Sequence, residues 1–208
     1  MSYSDFTLPS VLKAFDLKCS EIPNLFSEVE PLEPSKFLRD ALEDNLILAL
    51  GSNTEKSRSE LIITPILLEL RKQFNKKISF FSGVNFTIDS ARGLNGNCDF
   101  LISGSEELLF IKYPVIAIVE AKKEDLIAGL GQCLAEMIAA QIFNEREIQP
   151  ISSILGTVTS GTNWRFLRLQ NEQVDIDLTE YYLSDLDKIL GILANGISCG
   201  MGILPVTD

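Results

Sequence analysis

The chain has 208 residues, 46% of them hydrophobic, with 18 Lys plus Arg against 29 Asp plus Glu, no histidine and a formal net charge of −11. The absence of histidine excludes Ser-His-Asp and Cys-His catalysis and histidine-ligated zinc or iron, and it steers any metal toward oxygen ligands, which suit magnesium, manganese or calcium. The acidity argues against tight non-specific nucleic-acid binding by the lone chain, because that binding comes mainly from Lys and Arg at phosphates.

The length predicts a single domain across residues 1–208, with ample apolar content for a core. No apolar run reaches the roughly 20 residues needed to cross a bilayer. Met1-Ser2-Tyr3-Ser4-Asp5 lacks the basic start and apolar stretch of a secretory signal. Cys19, Cys98, Cys133 and Cys199 are scattered with no C-x-x-C pair. Reduced thiols in a cytoplasmic protein, with no membrane association, are therefore expected.

Residues 1–50 read as a helical extension broken by Pro9, Pro23, Pro31 and Pro34, with a helix over Phe37–Leu50. This extension is suited to covering a sheet edge or to forming a homodimer interface. A second helix, Thr54–Phe74, carries the apolar stripe Ile63, Leu67, Leu70 and Phe74. Glu60 extends that stripe, and Pro65 is expected to kink the helix or loosen a turn. A strand follows over Ile78–Ile88, then a turn at Asp89–Asn97, a short strand at Cys98–Ser103 and another turn at Gly104–Glu107. Val115–Ala121 is almost wholly apolar up to Glu120, the pattern of a central strand buried on both faces.

A helix over Leu126–Glu145 repeats Leu126, Leu130, Leu134, Ile138 and Ile142 every fourth residue. Its small neighbours, including Gly129 and Gly131, allow close packing on a sheet. Strands at Ile151–Thr159 and Trp164–Leu169 flank the turn Ser160–Asn163. Val174–Leu178 suggests an edge strand, and Ser184 a cap for a last helix through Leu193. The order predicts an α/β or α+β sheet with helices packed on it, and the preferred form is an α/β fold, a central mixed sheet flanked by helices.

Within this order, Asp99, Glu120 and Lys122 stand out. Glu120 and Lys122 are two residues apart at the end of a buried strand, so they project from one face. If the two strands are neighbours, Asp99 faces Glu120, and two converging carboxylates repel unless a cation lies between them. A divalent ion there would acidify a water and stabilise a charged phosphoryl transition state, with Lys122 orienting or deprotonating the water. The spacing alone is weak: Asp16-Leu17-Lys18 repeats it without a buried strand or an upstream acid. For Glu60, the competing reading is an ordinary surface acid at the end of its stripe.

Ser59-Glu60-Leu61, Asn97-Cys98-Asp99-Phe100, Ile118-Val119-Glu120-Ala121-Lys122-Lys123 and Gly131-Gln132-Cys133 together resemble the PD-(D/E)XK, or restriction-endonuclease-like, nucleases. They are most similar to the N-terminal nuclease domains of type I restriction-enzyme R subunits. Thr157–Phe166 resembles the strand-turn-strand of those domains, so the nuclease-like core is residues 55–170. Cys98 stands where proline is typical. The resemblance implies a magnesium (or manganese) ion held by Glu60, Asp99 and Glu120, with Lys122 serving the water and Gln132 supporting the site. It further implies hydrolysis of phosphodiester bonds in DNA or RNA, DNA being the expected partner. The alternative, favoured by the charge, is a non-catalytic binding or assembly module, or a subunit whose partner supplies the nucleic-acid surface.

Overall fold

The computed structural model describes residues 1–147 and 151–202. After a 3-10 turn at Tyr3–Asp5 come helix α1 (Leu8–Ala14), strand β1 (Lys18–Ile22), and helices α2 (Lys36–Ser52), α3 (Glu55–Arg58) and α4 (Thr64–Gln73). Strands β2 (Ser79–Asn85), β3 (Asn97–Ser103) and β4 (Val115–Ala121) lead to helix α5 (Leu126–Arg146). Strands β5 (Ile154–Thr159), β6 (Asn163–Gln170), β7 (Gln173–Asp177) and β8 (Tyr181–Tyr182) and helix α6 (Leu186–Met201) complete the order.

The strands make one mixed sheet in the order β1-β7-β6-β5-β4-β3-β2, with β8 paired to β6. The β1–β7 and β4–β5 pairs are parallel and the others antiparallel. Helices flank the sheet, as the α/β reading expected. Parallel β4 and β5 need a crossover, and α5 provides it. One face of the sheet packs against α5, which the N-terminal residues Tyr3, Phe6 and Val11 cover from outside. The other face packs against α2, α4 and α6 through residues such as Leu38, Ile66, Leu70, Ile189 and Ile197. Every residue of β4 is buried, the consequence of its uninterrupted apolar run.

Several elements differ from the sequence expectation. Among the described residues, one helix, α5, is long and apolar enough by length and composition to cross a membrane, contrary to the reading that no run approaches this length. It is instead a core helix, with 67% of its apolar window buried. Gly131 makes that burial possible, since a Cβ there would lie 2.4 Å from the Thr7 carbonyl carbon and 2.5 Å from the Phe6 carbonyl oxygen.

The expected edge strand at Val174–Leu178 is an inner strand, because β1 pairs outside it. The exposed sequence Lys18-Cys19-Ser20-Glu21-Ile22 has no apolar alternation to announce a strand. The expected helix Thr54–Phe74 runs continuously as α3, a π-helical turn at Ser59–Ile63 and α4, so the loosened turn expected of Pro65 falls just ahead of it. Pro65 has no N–H for the Leu61 carbonyl, and Asn45 Nδ2 donates to that carbonyl instead, at 3.1 Å. The β3–β4 connection is longer than the Gly104–Glu107 turn and reaches Pro114. Ser184 does not cap the last helix: it lies in a 3-10 turn, Leu183–Asp185, ahead of α6.

Candidate functional site

β3 and β4 are antiparallel neighbours, with Phe100 opposite Val119. That register carries Asp99 alongside Glu120 at the end of β4. Asp99 Oδ2 accepts the Ala121 N–H at 2.8 Å, which ties its carboxylate to the strand bearing Glu120. Lys122 leaves the same strand end, where its N–H donates to the Thr159 carbonyl of β5. Its Nζ lies 2.6 Å from Glu120 Oε1, a close ion pair, and donates to Gln132 Oε1 of α5 at 3.2 Å. Gln132 Nε2 in turn donates to Glu136 Oε1 at 3.1 Å. Gly129 brings α5 close enough for this: a Cβ there would meet Val158 Cγ1 at 2.6 Å and Lys122 Cγ at 3.0 Å.

Four of the five residues singled out in the sequence, Asp99, Glu120, Lys122 and Gln132, thus meet at one sheet end under α5. Glu60 does not join their hydrogen-bond cluster. It lies on the π-helical turn, its side chain 60% exposed, and pairs with Lys56 at 2.8 Å. Two acids that the sequence reading passed over take part electrostatically. Glu136 is fully buried, and Glu55, at the start of α3, acts on both Glu120 and Lys122. A signal for Glu136 was present: it is the only charged residue between Leu126 and Asn144, and it sits one helical turn from Gln132.

The site gathers more negative charge than its own cations offset. Burial, then the neighbouring Asp99, push the Glu120 carboxyl up to about 8, against the pull of Lys122. Burial raises Asp99 above the usual carboxylate range, opposed by the Ala121 N–H and Lys122. Glu136 is raised well above that range by burial and by Glu120. For Lys122, burial favours the neutral amine, but the Glu120 carboxylate outweighs it and holds the ammonium above its ordinary value. Lys122 occupies Glu120 Oε1 as an ion pair, and neither Glu120 Oε2 nor Glu136 Oε2 receives a hydrogen bond of good geometry. Buried polar atoms rarely remain without one.

Among the described residues, no three His, Cys, Asp or Glu side chains converge as a complete metal cage. The donor set does fit a hard divalent ion that keeps most of its waters. Magnesium is commonly held by one or two carboxylates plus water and substrate oxygens. Asp99 spends one oxygen on the Ala121 N–H and keeps the other, and Glu120 keeps Oε2 without a partner while Oε1 is shared with the Lys122 ammonium. Cys98 and Cys133 are buried beside this cluster, and burial raises both thiols, which keeps them protonated and unreactive. A surface hollow of about 590 Å³ lies elsewhere, between the Gly104–Pro114 connection and the end of α6, and includes none of these side chains.

No family model matches the chain, and no curated protein matches it. Among solved structures, it is similar to one described as "cryoEM structure DrdV-DNA complex", with a TM-score of 0.44 and 12% sequence identity. The likeness covers 78% of this chain and 14% of that one, so the chain spans about a seventh of its length.

Proposed function

We propose that the chain is a metal-dependent phosphodiesterase of the restriction-endonuclease-like class, acting on DNA, with residues 55–170 as its nuclease-like core. The observation that carries this reading is the convergence of Asp99, Glu120, Lys122 and Gln132 at one sheet end, with Lys122 Nζ between Glu120 and Gln132. Asp99 and Glu120 would hold a magnesium or manganese ion. When bound, such an ion supplies Lewis-acid polarisation and offsets the negative charge of the carboxylates and the phosphate. Glu60 enters only if its side chain leaves Lys56 and turns toward Asp99.

The chain's own residues then divide the work. Lys122 is held as an ammonium, so it serves as a donor rather than as a base. It can orient the attacking water or stabilise charge on a phosphoryl oxygen. Hydrolysis forms one P–O bond to the water oxygen and breaks the P–O bond to the leaving sugar oxygen. One water proton ends on that leaving oxygen. Gln132 holds Lys122 on the α5 side, which limits the amine to the space beside Glu120.

Cleavage of supercoiled plasmid, single-stranded DNA and RNA with magnesium or manganese, with an EDTA control, tests the proposal. Metal-dependent cutting by the wild type that falls by about 100-fold or more in Lys122→Ala supports it. Equal cutting by Lys122→Ala overturns the assigned mechanism. The charge of −11 favours a second reading, a non-catalytic binding or assembly module that keeps the acids. Manganese binding that Asp99→Ala abolishes, without cutting of any substrate, would select that reading. Cutting that appears only with a second subunit would select a partner-dependent nuclease.

A further inference from the structure

We propose that Glu136 is a positioning residue: it fixes the orientation of the Gln132 amide and, through it, the ammonium of Lys122. Its role in cleavage rests on the nuclease reading, whereas the order of hydrogen bonds does not.

The argument starts from what each group can donate. An ammonium has three donors and no acceptor, so Lys122 can meet only the oxygen end of the Gln132 amide. The amide's NH₂ end must then point the other way. It does, toward Glu136 Oε1 at 3.1 Å, while Gln132 Oε1 accepts from Lys122 at 3.2 Å. Without an acceptor at position 136, the amide could turn over and present its NH₂ group to the ammonium, which would repel it. Gln132 and Glu136 are four residues apart on α5, the spacing at which helix side chains meet.

Packing alone gives no reason for an acid at this position. Glu136 has no solvent exposure, and its flanking residues Ala135 and Met137 are also buried. Burying a carboxyl costs stability, so an apolar side chain would be the cheaper filling. What the carboxyl provides that Leu cannot is an acceptor, for Gln132 Nε2 and for the neighbouring Cys98 thiol. The chain Glu136–Gln132–Lys122–Glu120 thus links the core of α5 to the end of β4.

Two measurements on the full chain test this, with thermal unfolding as a check that each variant is folded. The first uses metal-free protein and the side-chain amide protons of Gln132, followed by NMR. In the wild type, one of them exchanges slowly with solvent. Glu136→Gln, which keeps an acceptor, preserves that protection, and Glu136→Leu abolishes it. Rapid exchange in the wild type, or protection that survives Glu136→Leu, overturns the proposal.

The second is the metal-dependent cleavage rate. Glu136→Leu lowers it about tenfold or more, the usual scale for groups that orient a metal site, and Glu136→Gln retains most of it. In a Gln132→Leu background, Glu136→Leu adds no further loss. A full, additive loss in that background overturns action through Gln132. The NMR arm decides the relay even if the wild type cuts nothing, so failure of the relay and failure of the nuclease reading give different results.

Discussion

Replacing Glu120 by Gln changes how stability depends on pH, and the sign follows from its burial. An ordinary glutamate titrates near 4.5, and this one is pushed up to about 8. Between those values the folded chain keeps a proton that the unfolded chain has released. Stability therefore falls as pH rises through the window, and the full cost is present above about 8. The separation corresponds to on the order of 3–5 kcal/mol for a side chain this buried. Glu120→Gln keeps the shape and cannot ionise. Near pH 4.5 it should match the wild type closely, by pH 6 it should already be the more stable protein by about 2 kcal/mol, and at pH 9 by on the order of 3–5 kcal/mol. Urea unfolding at pH 6, 7, 8 and 9, with the slopes compared, measures the difference directly. A difference that stays flat across this range refutes the reasoning, because Glu120 would then ionise equally in both states. Saturating manganese should recover the lost stability of the wild type at pH 9 and leave the variant nearly unchanged.

The remaining expectations concern the same site and its supports. Manganese affinity, followed by calorimetry, should rise with pH up to about 8, roughly tenfold per pH unit where one proton leaves per ion bound. Asp99→Ala should remove that binding. Gly131→Ala should force the Phe6–Leu8 backbone off α5, costing about 1–3 kcal/mol and exposing the first fifteen residues to limited proteolysis. Asn144 Oδ1 accepts the Val115 N–H at 2.8 Å, and its Nδ2 donates to the Val115 carbonyl at 2.8 Å. Asn144→Ala strands both buried groups and should lower the unfolding free energy by about 2–5 kcal/mol.

Much of this architecture was legible because its signals are local. The apolar run of β4 and the fourfold spacing of α5 each specify one element, and both formed where the pattern placed them. That the Cys98 and Val115 strands are neighbours was only a condition in the sequence reading, and the structure meets it. What escaped the sequence depends on partners far along the chain. β1 becomes a strand because β7 offers it an edge, and its own residues carry no alternation. The π-helical turn lies where Pro65 leaves the Leu61 carbonyl without its helical donor, and Asn45 of α2 donates to that carbonyl. Glu136 was hidden for a different reason: the apolar stripe of α5 drew attention to the helix as packing, although a single charge inside it was the stronger clue. Glu60 entered the site set through the resemblance, its stripe alone favouring a surface acid; it sits on the π-helical turn with its carboxylate paired to Lys56.

The overall charge and the site act at different ranges, and this separates affinity from chemistry. Salt screens exposed charges beyond about 8 Å at physiological ionic strength. The net charge of −11 therefore weakens the approach of a nucleic acid and reduces the number of phosphates the chain can hold. It has little influence on events within contact distance of Lys122. There the balance is set by Asp99, Glu120 and Glu136 against one ammonium, in surroundings that screen poorly. A fold built for stability alone would place apolar residues at 120 and 136, because each buried acid works against folding. On the proposed reading a bound cation would offset their cost most directly, stabilising the carboxylates and supplying the positive charge that a phosphate requires. On that same reading the acidity of the chain would bear on how a nucleic acid is delivered, and the buried acids on what is done to it.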